Sequence, residues 1–210
     1  MARIAYTQER IELRREEILD AAMVLFEEGG ISAVSFRRIA SKLDCSYSAP
    51  YRYFASKYEL LTALRARAFR WIEQRMSDAI AGISNPIEQL RKLARTYMDA
   101  ALEMPDRYAL MFFEIGDDDL NPSSELTAAK RDALGLCTRV VSEAERSGGL
   151  SLRVDPESAS HLFWSGAHGL VSLQVAGQFV MGRSFDELAP LMIETLITGL
   201  KADVKIGRAD

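Results

Sequence analysis

Apolar residues recur at intervals of three and four along this chain, and most such stretches open on Ser, Asp or Asn and close on glycine or proline. That pattern restricts the chain to helices. The first stretch, Thr7 to Glu28, carries Ile11, Ile18, Ala22, Leu25 and Phe26, and Gly29-Gly30 ends it. Ser35 caps a short second segment through Leu43. Asp44-Cys45 makes a tight turn, Ser46 caps Tyr47 to Phe54, and Ser56 caps a fourth segment that runs to about Ile80. Asn85-Pro86 opens a fifth, to Leu102 or Glu103, and Met104-Pro105 separates it from a sixth, Pro105 to Ile115. After a polar loop come Ser124 to Arg146, Asp155 to Phe179 and Ser184 to Ala202. No alternating pattern competes. The expected fold is all-α with about nine helices, divided into an N-terminal head, 1–55, and a larger C-terminal domain, 56–210.

At 210 residues, 48% hydrophobic and 27% charged, the chain can bury a core, and neither disorder nor a membrane protein is indicated. No run of about 18 apolar residues exists and Met1 to Arg15 is charged, so the expected location is the cytoplasm. Cys45 and Cys137 lack zinc-site spacing and are expected to be small packing residues. The net charge of −4 is unevenly spread. Between 32 and 57, Arg37, Arg38, Lys42, Arg52 and Lys57 face one acid, Asp44, whereas from 76 onward 20 acids outnumber 13 bases. A local basic patch on an acidic chain suits a confined polyanion contact; a solvated helix face would give the same count.

Two short helices joined by a tight turn, between longer helices, form a helix-turn-helix plan whose second helix enters the major groove of double-stranded DNA. Tyr47, Ser48 and Ala49 lie near the start of that helix, where side chains reach base edges. Arg37, Tyr51, Tyr53 and Lys57 flank them with donors suited to phosphates. Pro50 falls at the first-turn edge, where a missing amide costs little. Phe54 is expected in the core. Arg38 and Lys42 are either phosphate ligands or solvated.

The run ILDAAMVLFEEGGISAVSFRRIASKLDCSYSAPYRYFASKYELLTAL resembles the N-terminal signature of the tetracycline-repressor-like (TetR) regulators, with Phe26, Gly30, Ile39, Ala40, Leu43, Ser46, Tyr51, Phe54, Lys57 and Leu60 in place. HLFWSGAHGLVSL, with Trp164, His168 and Gly169, resembles a C-terminal subgroup named for its Trp, His and Gly. The resemblance implies DNA contacts at Ser35, Arg37, Tyr47, Ser48, Ala49, Tyr51, Tyr53 and Lys57. Asp44 stands where the family has Gly, and Tyr47 is bulky for a base-reading position.

Leu162, Phe163, Leu170, Leu173 and Val180 on one late helix, and Leu188, Leu191, Met192, Leu196 and Leu200 on the other, would pair with their symmetry mates in a four-helix bundle, making a homodimer on a palindromic operator. The resemblance also implies a small-molecule effector. Met98, Met104, Tyr108, Met111, Phe112, Trp164 and His168 could line an adaptable apolar cavity, or be plain core. His161 and His168 lie seven apart, but no third ligand has metal spacing, so no metal or other cofactor is expected. Nucleophile elbows, phosphate loops and HExxH are missing, so catalysis is not expected. The reading is a transcriptional regulator, with repression implied by the family; a helical adaptor that keeps the head without DNA binding is the competitor.

Overall fold

Eight α-helices and one 3-10 turn make up the computed structural model, which describes residues 7–112 and 124–201. They are α1 Gln8–Ala33, α2 Phe36–Lys42, the 3-10 turn Pro50–Arg52, α3 Lys57–Ile80, α4 Pro86–Glu103, α5 Pro105–Met111, α6 Ser124–Arg146, α7 Pro156–Val175 and α8 Phe185–Gly199. No strand occurs among the described residues; Leu152 and Lys201 form an isolated bridge. The fold is all-α, as periodicity and caps require. Ser35 accepts from the Arg38 amide at 3.3 Å, Ser56 from Glu59 at 3.1 Å, Asn85 from Ile87 at 2.9 Å and Asp155 from Ser158 at 2.9 Å. Ser184 and Glu187 close a reciprocal capping box on α8.

The chain separates into two compact units. In the first, which includes residues 7–68, α1 packs on α2 and α2 on the 3-10 turn around Ile18, Leu25, Phe26, Ile39, Phe54 and Leu64. Gly29 and Gly30 break α1 as expected. Gly30 takes φ +64, ψ −163, a region essentially closed to side chains, although nothing lies within 4 Å of a Cβ placed there. Gly30→Ala is therefore expected to lower stability by about 1–3 kcal/mol through backbone strain alone. An unchanged melting curve would refute that.

The segment after α2 departs from expectation. Asp44 adopts a left-handed φ of 47, and the Cys45 amide reaches back to the Ala40 carbonyl at 3.0 Å, a helix stop that Asp tolerates better than most residues. This turn leaves Cys45 exposed, contrary to its reading as a packing residue, whereas Cys137 is buried and its thiol pushed up to about 12 by desolvation. Tyr47 to Phe54 is not a two-turn α-helix. Pro50 has no amide to donate to Ser46, so Ala49 bonds the Ser46 carbonyl at 2.9 Å, and the chain continues as a 3-10 turn until the Phe54 amide bonds Pro50 at 3.1 Å.

In the second unit, which includes residues 69–108 and 128–201, α4 packs against α7 and α8, and α7 against α8. The α7–α8 approach is close. A Cβ on Gly166 would lie 2.9 Å from Met192 Sδ and 3.0 Å from Leu196 Cδ1, so any side chain there would have to push both aside. Two expectations are corrected here. The helix read to Phe179 stops at Val175, because Gly177 turns left-handed (φ +65) and the Gln178 amide bonds the Leu173 carbonyl, which removes Val180 from any helix face. Phe163 and Leu200, assigned to a surface for a partner, are buried within the chain itself. The helix read from Pro105 to Ile115 ends at Met111; Ile115 and Ala202 lie outside the described residues.

Candidate nucleic-acid interface

The turn after α2 presents a surface because its inward residues are anchored. Phe54 is fully buried under the Arg15 guanidinium, 4.2 Å from its ring centroid, and Arg15 also donates to the Tyr53 carbonyl. Buried Phe36 meets the Tyr51 ring at 4.2 Å between centroids, and Tyr47 lies edge-on to Tyr51 with the hydroxyls 3.3 Å apart. That bond holds the Tyr51 hydroxyl above the usual tyrosine range. Tyr47 is 58% exposed and Tyr51 45%. A stack of three rings thus runs from core to surface.

The other nominated residues differ in exposure. Arg37 and Ser48 are exposed, with Ser48 Oγ 3.4 Å from Ser46 Oγ; Ala49, Tyr53 and Ser35 are half-buried. Among the described residues Arg37 forms no ion pair. Lys57 donates one ammonium hydrogen to the Ile31 carbonyl at 3.0 Å, leaving two for another acceptor. Arg38 and Lys42 are engaged by Glu28, at 3.7 and 3.2 Å. No local sequence signal announced Glu28 as their partner, since 10 and 14 residues separate them.

The residues nominated for a ligand fall in both compact units. Met111, buried, and Phe112, half-buried, belong to the first unit, where buried Arg65 donates to the Met111 carbonyl at 3.4 Å. In the second unit Met98 is fully buried in α4 and Met104 ends that helix. Tyr108, Trp164 and His168 do come together, around a residue that sequence reasoning missed. Trp164 Nε1 donates to Tyr97 Oη at 3.1 Å, Tyr97 Oη lies 3.1 Å from Tyr108 Oη, and Tyr108 Oη lies 2.5 Å from His168 Nδ1. Assigning each hydroxyl as donor to the next atom satisfies the whole chain. Tyr97 shares the buried face of α4 with Leu90, Leu93 and Ala94; a phenol on such a face requires a partner, and that was the available signal.

Burial sets the charge state of this chain. Desolvation pushes Tyr97 up to about 12, raises Tyr108 further, and lowers His168 below the ordinary imidazole value. A histidine depressed in the fold takes up its proton more readily when unfolded, so its stability contribution is complete above about pH 6.5 and falls as pH drops through that value. The tyrosines, raised in the fold, withdraw stability above about pH 10. Between pH 7 and 5.5 the wild type should therefore lose more melting temperature than His168→Gln; parallel curves would refute the assignment.

Family comparisons cover both ends of the chain. The family described as "Bacterial regulatory proteins, tetR family" matches residues 18–64, and "Tetracyclin repressor-like, C-terminal domain" matches residues 90–196. The HTH-type transcriptional repressor KstR of Rhodococcus jostii is 38% identical over 78 residues, 37% of this chain and 36% of that protein, so the match spans about a third of that relative's length. An uncharacterised HTH-type transcriptional regulator of Mycobacterium tuberculosis is 28% identical over 170 residues, 79% of this chain and 72% of its own. A solved protein of unknown function from Rhodococcus sp. RHA1 superimposes with a TM-score of 0.75 at 24% identity, covering 94% of this chain and 99% of its own. The transcriptional regulator FadR of Bacillus subtilis, solved in complex with stearoyl-CoA, gives 0.70 at 18%, covering 88% and 98%. These two likenesses speak for the fold. With a C-terminal match that itself spans half the sequence, the chain belongs to the TetR family of bacterial transcription regulators.

Proposed function

We propose that this chain is a repressor that binds a palindromic operator as a homodimer and lets go when a small, largely apolar ligand enters the C-terminal domain. The observation that carries the reading is the exposed Tyr47–Ser48–Tyr51 surface, held by the buried Phe36 and Phe54, with Arg37 exposed directly after Phe36 in the chain. Tyr47, Ser48 and Ala49 read base edges; Ser35, Arg37, Tyr51, Tyr53 and Lys57 hold phosphates and set the register. Residues 1–55 act as the DNA head and 56–210 as the sensing and dimerising domain, in the cytoplasm. No helix among the described residues is long and apolar enough to cross a membrane.

Dimerisation through α7 and α8 supplies two heads for two half-sites. The repressor name of KstR favours repression over activation, and the stearoyl-CoA held by FadR makes an apolar effector reasonable for this fold. In this chain Tyr108, Trp164 and His168 offer the polar fix for such a ligand, and Met98, Met104, Met111 and Phe112 the adaptable apolar wall. Release follows when the ligand favours a setting of α3 that moves the two heads out of step with successive grooves.

Selection of tight binders from random duplex DNA by the purified protein tests this. Enrichment of a palindrome is expected, and a folded dimer that enriches nothing would point to a helical adaptor. Arg37→Ala should weaken all duplexes by about tenfold and lower the salt slope by about one, whereas Tyr47→Ala should change sequence preference. Unaltered binding by both variants would remove these residues from the interface.

A further inference from the structure

We propose that a groove along α6 is a second small-molecule site, taking an anionic amphiphile with an aliphatic chain and a carboxylate head. The groove has a volume of about 720 Å³ and is completed by Ile80 at the end of α3, Gln89 in α4 and Glu157 at the start of α7. That size lies within the range of about 300–1,000 Å³ usual for small-molecule sites. It shares no lining residue with the Tyr97–Tyr108–His168–Trp164 chain.

Its chemistry is divided in two. Ile80 and Leu134 contribute apolar wall, while Arg131 and Arg139 stand on α6 four residues either side of Gly135, all three on one helical face. Neither guanidinium has an ion pair or hydrogen bond among the described residues. Glu143 is already engaged by Arg146, so the lining's three guanidiniums outnumber its two carboxylates and the excess positive charge rests with Arg131 and Arg139. A carboxylate between two guanidiniums would accept charge-assisted hydrogen bonds from both, and the alkyl chain would cover Leu134 and Ile80.

Gly135 supplies an independent observation. Glycine inside a helix is unfavourable relative to alanine and calls for a packing reason. Arg139 supplies one: its Nη1 is the nearest atom to an added Cβ, at 3.6 Å, so the guanidinium reaches back over Gly135 toward Arg131. A larger side chain at 135 would displace it.

Calorimetric titration of the full-length protein with dodecanoate below its micelle concentration provides the test. One dodecanoate per groove should bind, and dodecanol should bind at least about tenfold more weakly for lack of the charge. Arg131→Gln/Arg139→Gln should lose about tenfold or more, and Gly135→Leu should abolish binding while melting no lower than wild type. Tyr97→Phe should bind as wild type does. Dodecanoate binding that survives both groove variants, or no binding by the folded wild type, overturns the proposal. So does binding that vanishes as protein concentration rises, since a second copy would then fill the groove.

Discussion

If the chain pairs through α7 and α8 as proposed, Leu173→Asp/Leu191→Asp is expected to give a monomer in sedimentation and to cost duplex affinity on the order of a hundredfold or more, since two linked heads gain about 10²–10⁴ over one. α7 and α8 bury Phe163, Ala167 and Val171 against Ala189, Ile193 and Ile197, which satisfies only one side of each helix. Leu162, Leu173 and Leu191 remain 47%, 44% and 61% exposed. In the proposed homodimer these faces would be covered by the same pair of helices from a second copy. Aspartates at the centre of that contact would bring unpaired charges into an apolar seam, at several kcal/mol each. Within one chain both positions face solvent, so the monomer should keep its fold to within about 0.5 kcal/mol. A variant that still sediments at twice the chain mass would place the dimer contact elsewhere.

Phe54→Ala should cost about 3–5 kcal/mol, the usual range for a buried phenylalanine. Phe54 is fully buried and carries the Arg15 guanidinium on its face, so truncation opens a cavity and also releases the side chain that ties α1 to the Tyr53 carbonyl and to Glu59. For a unit of this size, at about 0.05–0.15 kcal/mol per residue, such a loss is a large fraction of the whole stability. The expected outcome is a protein whose amides exchange rapidly across residues 7–68, whose second unit stays protected, and whose sequence-specific DNA binding is gone. Normal protection in the head, with DNA binding intact, would show that the ring is dispensable.

The parts of the structure that sequence conveyed are those decided locally. Ser35, Asn85, Asp155 and Ser184 act within three residues of themselves, and the Gly29-Gly30 break needs no partner. Pro50 shows how a local rule can mislead. Counting it as a first-turn residue hid the loss of the Ser46 bond, which is what turns the segment into 3-10 geometry. Apolar spacing marked α7 and α8 but could not tell which side meets the chain's own core, so Phe163 and Leu200 went to the wrong surface. The Trp164–Tyr97–Tyr108–His168 chain joins residues up to 67 positions apart, and only the aromatic hydroxyl on α4's buried face hinted at it.

Glu28 has a consequence for how the protein distributes over a genome. Because its single carboxylate pairs with both Arg38 and Lys42, binding should release fewer counterions than five bases in the 32–57 stretch would suggest. Sequence-independent attraction, which depends on that release, is correspondingly weak, and the overall charge of −4 weakens it further. Fewer molecules would then be held on irrelevant sequence, and if the aromatic and serine surface reads bases as proposed, occupancy of an operator would depend more on its discrimination than on grip.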